Sequence, residues 1–377
     1  MSILIIGSDA NAYSIAEYMS KNENVDIVFT TSRSEKIKSF ANFVDISEND
    51  TDNLLDFVIA NDIDLTVVTS MIAIENNIAG CFENSGRLIF APSSESAGIT
   101  IFKSLAKKMM YKLKIPTIKF GIFERENQAI DYVYQARRPL IIKNDTQISD
   151  AYPVLTNSFS KAKSVIEKLF ISPENKIIIE DYIDAQKVSL YYITDGYSAL
   201  KIGNCISYDE NLSYMDNYIS NSNILSSELD LKILNEVVYP ILDDISFHNQ
   251  SYSGILGVDL LVNENYYNVI EFYPFFKQMH LQTILPNIKT DLYCLFLSVA
   301  NGSFSDEYEF IDTNNYSCVS RITNNFDENK LSYINDDNLT YAYTTASNII
   351  LTQIAQTTNR ARKNLEENIQ FISKEGD

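Results

Sequence analysis

The sequence predicts a multidomain protein in which an N-terminal α/β domain is followed by α+β domains. A chain of 377 residues is long enough for two or three domains with ample hydrophobic cores. Over about the first 95 residues, short apolar segments alternate with helical segments, which is the pattern of a doubly wound parallel sheet. From Lys119 to Ile183 strands and helices alternate again, and this stretch has the pattern of a small α+β lobe.

The composition restricts the possible functions. Hydrophobic residues make up 45% and charged residues 21% of the chain, as in ordinary soluble globular proteins. No apolar run approaches the roughly 18 residues of a membrane span. The segment Met1–Gly7 enters a strand without a basic region or cleavage signal, which predicts a cytoplasmic protein. A net charge of −20 disfavours nucleic-acid binding. Two histidines and four widely spaced cysteines do not indicate a histidine-based site, a zinc site or a disulfide framework.

The N-terminal segment carries the predicted parallel sheet. A fully apolar strand, Ile3–Ile6, leads into the turn Gly7–Asn11. Ligands of such sheets lie at the carboxyl ends of the strands, here near Gly7–Asn11 and Thr69–Ile72. One glycine after the first strand falls short of a dinucleotide fingerprint, so NAD binding is poorly supported. The other predicted elements are strands at Val25–Phe29, Leu65–Thr69 and Leu88–Phe90, and helices at Ala12–Lys21, Asn53–Ala60 and Ile74–Asn84.

Helices and strands are predicted through the rest of the chain, apart from the polar stretch Tyr208–Ser226, which has no clear periodicity. The predicted helices are Thr100–Leu113, Glu126–Ala136, Lys161–Leu169, Leu229–Ile245, Ile288–Ala300 and Thr344–Ile372. The predicted strands are Lys119–Phe123, Leu140–Lys143, Lys176–Glu180, Ser189–Thr194 and Ser198–Ile202.

A hairpin is predicted near residue 265. Ile255–Val262 and Tyr267–Phe272 are rich in β-forming residues and are separated by turn residues. With the turn centred near Asn265, Asp259 and Glu271 would stand opposite each other across the ladder. Two neighbouring carboxylates repel unless a cation or a proton lies between them, so the pair suggests a magnesium site. A sheet edge with two solvated acids fits the same local pattern.

Short motifs occur in a specific order from the end of the N-terminal domain onward. They are Phe90–Ser94, Lys103–Lys107 with Lys114–Thr117, Pro139–Lys143, Ile178–Ile183 with Ser189, Val269–Phe272, and Leu285–Leu292. Each motif is weak alone, but their common order and spacing are specific. That order resembles the one found in the glycinamide ribonucleotide synthetase family in the ATP-grasp superfamily.

The resemblance implies a domain order and a nucleotide site. It implies an N-terminal α/β (preATP-grasp) domain at 1–98, an ATP-grasp domain at 99–304 with a small lobe at about 117–186, and a C-terminal α+β domain at 305–377. ATP would lie between two lobes, with Lys107 and Lys143 against its phosphates. Glu271, with Asp259, would bind Mg²⁺. The adenine hinge would be formed by Glu180, Asp181, Tyr182 and Ile183.

The resemblance also implies a reaction, the coupling of glycine to phosphoribosylamine. ATP would phosphorylate the glycine carboxylate, and the amine would attack the acyl phosphate. Such catalysis depends on positioning and on neutralising phosphate charge, so no side-chain nucleophile is implied. The implied partners are these small molecules, with no nucleic acid and no membrane, and the protein is expected to be a monomer or a homodimer.

Several motifs depart from the family pattern, and they leave three hypotheses open. The glycine-rich phosphate loop is replaced by Thr146–Tyr152, and the metal-site asparagine by Tyr273. The family's substrate-binding arginine and acids are absent from Phe275–His280, and its ribose-contacting acid is Lys187 here. The protein could be a divergent ligase with the family reaction, a non-catalytic relative that binds a partner or nucleotide, or a ligase for a different substrate pair.

Overall fold

The structure is a computed structural model of the protein, and the residues that it describes fall into two units. The large unit comprises Met1–Ser96, Val188–Gly257 and Pro274–Asp377, and the small unit comprises Ala97–Lys187 and Val258–Tyr273. The described residues are 1–33, 35–137, 139–146, 153–172, 175–207, 217–221, 223–263, 266–305, 308–323, 326–334, 336–345 and 348–373.

The large unit begins with a parallel five-stranded sheet in the order β3-β2-β1-β4-β5. Its central strand contains the apolar residues Ile3–Ile6, all of them buried, as expected for a strand covered on both faces. The sheet confirms the predicted doubly wound domain. Its strands are β1 (Ser2–Ile6), β2 (Ile27–Thr30), β3 (Asn42–Phe43), β4 (Leu65–Val68) and β5 (Ile89–Phe90). Its helices are α1 (Ala10–Ser20), α2 (Thr51–Ala60), α3 (Met71–Glu75) and α4 (Ile78–Asn84), with a 3-10 helix at Glu35–Ser39.

The predicted helix Ile74–Asn84 is in fact two helices. Asn77 adopts a left-handed backbone conformation, with φ 55° and ψ 42°, which interrupts the helix between α3 and α4. Asparagine tolerates this conformation better than most residues, so the break stays local and costs little conformational free energy.

The small unit contains a four-stranded antiparallel sheet in the order β6-β9-β7-β8. Two helices, α7 and α8, bury one face of it in a core that includes Val133, Leu140, Ile142, Ile166 and Ile179. The elements of the small unit are α5 (Gly98–Ile101), α6 (Lys103–Lys112), β6 (Phe120–Phe123), α7 (Glu126–Gln135), β7 (Leu140–Asn144), β8 (Val154–Thr156), α8 (Phe159–Leu169) and β9 (Ile177–Asp181). The hairpin strands β13 (Gly254–Asn263), from Val258 onward, and β14 (Tyr266–Tyr273) also belong to it.

The predicted helix Thr100–Leu113 is interrupted at Phe102. This residue has an extended ψ of 114° and forms a β-bridge with Thr146, while the Lys103 backbone N–H donates to the Asp145 carbonyl oxygen at 2.9 Å. The loop after β7 therefore fixes the start of α6. No local pattern in the helix sequence indicates this contact, since the partner lies more than forty residues away.

Antiparallel strands and helices complete the large unit. From Val188 onward the strand order is β10-β11-β12-β15-β17-β16. The strands are β10 (Gln186–Thr194), β11 (Ala199–Ser207), β12 (Asn217–Ser220), β15 (Tyr316–Thr323), β16 (Leu339–Thr345) and β17 (Asn348–Ala355). The helices are α9 (Ser227–Ile233), α10 (Tyr239–Phe247), α11 (His280–Ile284), α12 (Leu292–Ala300), α13 (Glu328–Leu331) and α14 (Thr358–Ile372), with a π-helical segment at Leu234–Val238 and a 3-10 helix at Leu285–Asn287.

The predicted terminal helix Thr344–Ile372 is wrong over its first part. Asn348–Ala355 forms β17, which is rich in β-branched residues and pairs with β15 and β16. Helix α14 begins only after Thr357, whose hydroxyl accepts a hydrogen bond from the Arg360 N–H. The predicted helix Ile288–Ala300 likewise begins later, after the N-cap Asp291. Of the polar stretch Tyr208–Ser226, residues 208–216 and 222 lie outside the described part of the chain. Among the described residues, no helix is long and apolar enough to cross a membrane.

Candidate functional site

Four buried charged side chains form a continuous line of ion pairs in the small unit. The Lys107 Nζ lies 2.5 Å from Glu180 Oε1, and the Lys143 Nζ lies 2.6 Å from Glu180 Oε2. The Lys143 Nζ also lies 2.7 Å from Glu271 Oε1. The side chain of Glu180 is completely buried, and that of Lys107 is 1% exposed. We call Lys107, Glu180, Lys143 and Glu271 the lysine–carboxylate chain.

The strand register of the small sheet places two of these residues together. In the β7–β9 ladder, Lys143 pairs with Ile178 and Ile141 pairs with Glu180. Since alternate residues of a strand share a face, Lys143 and Glu180 lie diagonally on the same face of the sheet. The intervening residue Ile142 points into the apolar core. One face of this sheet is therefore apolar, and the other carries the charges.

The helix and the hairpin supply the other two residues. Lys107 lies in α6, where its ammonium also donates to Thr117 Oγ1 at 2.9 Å and lies over the Phe120 ring at 5.8 Å. Thr117 Oγ1 in turn donates to the Val269 carbonyl oxygen at 2.7 Å, which ties the segment after α6 to β14. Glu271 follows two residues later on β14. Side chains from α6, β7, β9 and β14 thus meet in one place.

Burial and the ion pairs shift the pKa values of the lysine–carboxylate chain in opposite directions. Burial disfavours the charged form of Lys143, but the carboxylates of Glu271 and Glu180 outweigh burial and raise the pKa of this lysine. Burial acts against Glu271 too, yet Lys143 and Lys103 hold its pKa well below the ordinary value. At Lys107 the effect of burial exceeds that of the Glu180 carboxylate, so the pKa of Lys107 is lowered.

The sequence comparisons identify the family. Residues 1–100 match the family model "Phosphoribosylglycinamide synthetase, N domain", and residues 102–280 match "Phosphoribosylglycinamide synthetase, ATP-grasp (A) domain". The chain belongs to the phosphoribosylglycinamide synthetase family of ATP-grasp proteins. The sequence resemblance and the predicted combination of a parallel-sheet domain with an ATP-grasp domain are confirmed.

Individual relatives agree with this assignment. A phosphoribosylamine–glycine ligase of Caldanaerobacter subterraneus subsp. tengcongensis is 26% identical over 322 residues, covering 81% of this chain and 76% of the relative. A ligase of the same name from Lactococcus lactis is 28% identical, covering 80% and 76%. The crystal structure of phosphoribosylamine–glycine ligase from Thermotoga maritima superposes with a TM-score of 0.81 at 13% identity, covering 100% of this chain and 98% of that one.

The predicted adenine hinge of this phosphoribosylglycinamide synthetase family member lies at the end of β9. The Glu180 carboxylate is engaged by both lysines, as described above. The backbone N–H of Asp181 donates to the Lys119 carbonyl oxygen, and that of Tyr182 donates to the Pro139 carbonyl oxygen, both at 3.1 Å. The Ile183 side chain is exposed. Adenine binding by these residues stays a prediction.

The second predicted metal ligand, Asp259, has a lysine as its partner. Lys187 Nζ lies 2.9 Å from Asp259 Oδ2, and the Asp259 side chain is fully buried. Glu271 has both oxygens engaged, since Oε1 pairs with Lys143 and Oε2 accepts a hydrogen bond from the Tyr273 hydroxyl at 3.0 Å. In the described part of the chain, no group of three or more metal-binding side chains could hold a metal ion. In this arrangement, Asp259 and Glu271 do not fit a Mg²⁺ ion held by the protein alone.

Sequence reasoning assigned no role to Lys103 and Asp145, which support this site in the phosphoribosylglycinamide synthetase fold. Lys103 is buried, donates to the Thr146 carbonyl oxygen at 3.1 Å, and has a pKa lowered by burial. Asp145 accepts from the Ser104 backbone N–H at 2.6 Å and from its hydroxyl at 2.8 Å. The spacing of Lys103 and Lys107, four residues apart on one helical face, was the available signal. Of the substituted phosphate loop, only Thr146 lies within the described residues.

Proposed function

We propose that this protein is an ATP-dependent carboxylate–amine ligase of purine biosynthesis that joins glycine to phosphoribosylamine. The observation that carries the proposal is the meeting of Lys107, Lys143 and Glu271 in one buried cluster, in a chain whose two family matches cover both the N domain and the ATP-grasp domain. The curated relatives named above are ligases for this reaction. The domain limits near residues 98 and 304 and the monomeric or homodimeric state remain part of the proposal, as does a cytoplasmic location.

The proposed reaction has two steps that balance without a side-chain nucleophile. A glycine carboxylate oxygen attacks the γ-phosphorus of ATP, which forms glycyl phosphate and releases ADP. The amine of phosphoribosylamine then attacks the acyl carbon, which forms the amide and releases phosphate and a proton. Both steps concentrate negative charge on phosphate oxygens, so fixed cations are the main requirement.

The lysine–carboxylate chain supplies such cations. In this structure Glu180 forms ion pairs with both Lys107 and Lys143, so these two ammonium groups are held in place before any phosphate arrives. Phosphate oxygens would then compete with a carboxylate for ammonium groups that are already oriented, which lowers the entropic cost of binding. ATP-grasp enzymes use ATP and Mg²⁺. We propose ATP as the phosphoryl donor, with adenine against Asp181, Tyr182 and Ile183.

The test is a substrate-dependence assay. Purified protein is incubated with ATP and Mg²⁺ and with glycine, phosphoribosylamine or both, and ADP release is measured. We expect ADP only when both substrates are present, together with the ribonucleotide amide detected by mass spectrometry. ADP release with another carboxylate and amine, and none with this pair, would show a ligase of different specificity. A binding test with ATP–Mg²⁺ that gives no thermal shift at millimolar nucleotide would favour a non-catalytic protein. The comparisons give neither alternative any support.

A further inference from the structure

The ion pair of Lys187 and Asp259 joins a half-exposed lysine to a fully buried carboxylate. The two side chains are 51% and 0% exposed, and the ammonium approaches Asp259 Oδ2 at 2.9 Å. A buried carboxylate is strongly destabilising unless a cation or hydrogen-bond donors compensate it. Lys187 supplies that compensation from the accessible side of the site.

The same lysine acts on Glu271. The carboxylates of Asp259 and Glu271 both raise the pKa of Lys187, and Lys187 in turn helps to lower the pKa of Glu271. Lys187 therefore pairs directly with Asp259 and adds positive charge in the neighbourhood of Glu271. With Lys143 bound to Glu271, two ammonium groups face two carboxylates. They supply the two positive charges that one divalent cation would otherwise supply.

Two side chains near the pair act as donors toward its oxygens. Lys187 donates to Asp259, and the Tyr273 hydroxyl donates to Glu271 Oε2. A metal ion needs lone pairs directed at it, and each of these donors uses one. An ammonium and a phenol hydroxyl are also poor Mg²⁺ ligands themselves. Lys187 and Tyr273 therefore favour a state in which the protein's own donors compensate Asp259 and Glu271, and they disfavour metal binding by these two carboxylates.

We propose that the Lys187 ammonium serves the Asp259–Glu271 pair as a built-in cation in place of a protein-bound divalent metal ion. Any Mg²⁺ used in the proposed ligase reaction then arrives on the nucleotide phosphates and is not held by Asp259. The inference concerns the site of the proposed function but does not depend on turnover, because it can be measured without nucleotide or substrates.

The test is titration of Mn²⁺ into the full-length protein, with free Mn²⁺ followed by its electron paramagnetic resonance signal. Four proteins are compared: the wild type, K187Q, the double variant K187Q/D259N, and K176Q. Lys176 is the matched control, because it pairs with Glu124 at the surface of the same unit. We expect K187Q to bind one Mn²⁺ at least about tenfold more tightly than the wild type. K187Q/D259N and K176Q should bind no better than the wild type.

Two results would overturn the proposal. The first is a folded K187Q, judged by circular dichroism, whose Mn²⁺ affinity equals that of the wild type. The second is stoichiometric Mn²⁺ uptake by the wild type that is lost in D259N. This second measurement needs no variant at position 187, so it decides the matter even if K187Q fails to fold. A negative ligase assay would leave both readouts unaffected.

Discussion

Lys143 and Glu180 lie diagonally across the neighbouring strands β7 and β9, with Nζ and Oε2 2.6 Å apart in surroundings almost closed to solvent. Glu180 is the only residue of the lysine–carboxylate chain that contacts both of its lysines. Removing this one carboxylate therefore affects two buried ammonium groups at once.

The first prediction concerns Glu180→Gln. The variant leaves Lys107 without its carboxylate and brings two buried cations into mutual repulsion, so we expect the free energy of unfolding to fall by about 3–5 kcal/mol. Urea denaturation at neutral pH measures the change. Glu124→Gln, which removes a carboxylate from the exposed ion pair with Lys176, should leave the free energy of unfolding close to that of the wild type. Equal losses in the two variants would contradict the burial argument.

The second prediction concerns acid stability and Glu271. Its folded-state pKa lies well below the ordinary value of 4.5, because Lys143, Lys103 and Lys187 outweigh burial. The ionised carboxylate therefore contributes stability that is fully present above pH 4.5 and is lost as the pH falls through the folded-state pKa. Glu271→Gln should flatten this acid limb of the unfolding free energy, measured between about pH 3 and 7. The exposed Glu167→Gln should keep the wild-type slope.

The third prediction concerns Asp9, for which the pH dependence of stability has the opposite sign to that of Glu271. Burial raises the pKa of Asp9, the N-cap of α1, from 3.8 to about 6, although the N–H groups of Ala12 and Asn11 act against the rise. The ionised form therefore opposes folding, and stability is lost as the pH rises from about 4 to 6. Asp9→Asn keeps a capping oxygen without the charge.

We expect Asp9→Asn to raise the free energy of unfolding at pH 7 by roughly 1–3 kcal/mol and to abolish the decline between those pH values. Thermal and urea unfolding across the pH range provide the measurement. Asp50→Asn, at the N-cap of α2, is the matched control and should change stability by less than about 0.5 kcal/mol. A destabilised Asp9→Asn variant would mean that the charge itself stabilises the helix.

The fourth prediction separates nucleotide binding from folding. In Lys107→Met, Glu180 keeps Lys143 as its partner, so the protein should remain folded. Loss of the phosphate contact that we propose for Lys107 should weaken ATP binding about ten- to hundredfold, measured by isothermal titration calorimetry. Lys108→Met alters the exposed neighbouring residue and should bind ATP as the wild type does. Unchanged affinity in Lys107→Met would remove this lysine from the phosphate site.

The sequence was sufficient to predict the N-terminal sheet and to single out Lys107 and Lys143, whose phosphate role stays a prediction, but it did not indicate which buried charges pair with each other. Apolar runs such as Ile3–Ile6 identify parallel strands because both faces are buried, and motif order identified Lys107 and Lys143. The pairing of Lys187 with Asp259 joins residues 72 positions apart and depends on tertiary structure that no local pattern encodes. The same holds for Phe102, whose bridge to Thr146 divides the predicted helix.

The alternation of residues along β7 couples the chemistry of the site to the packing beneath it. Sliding β7 by one position would push the Lys143 ammonium among the side chains under α7 and α8 and turn Ile142 toward the carboxylates. Neither arrangement is tolerable, so misaligned pairings of this strand are strongly disfavoured during folding. The buried charged residues of the site therefore also help to fix the register of the sheet that carries them.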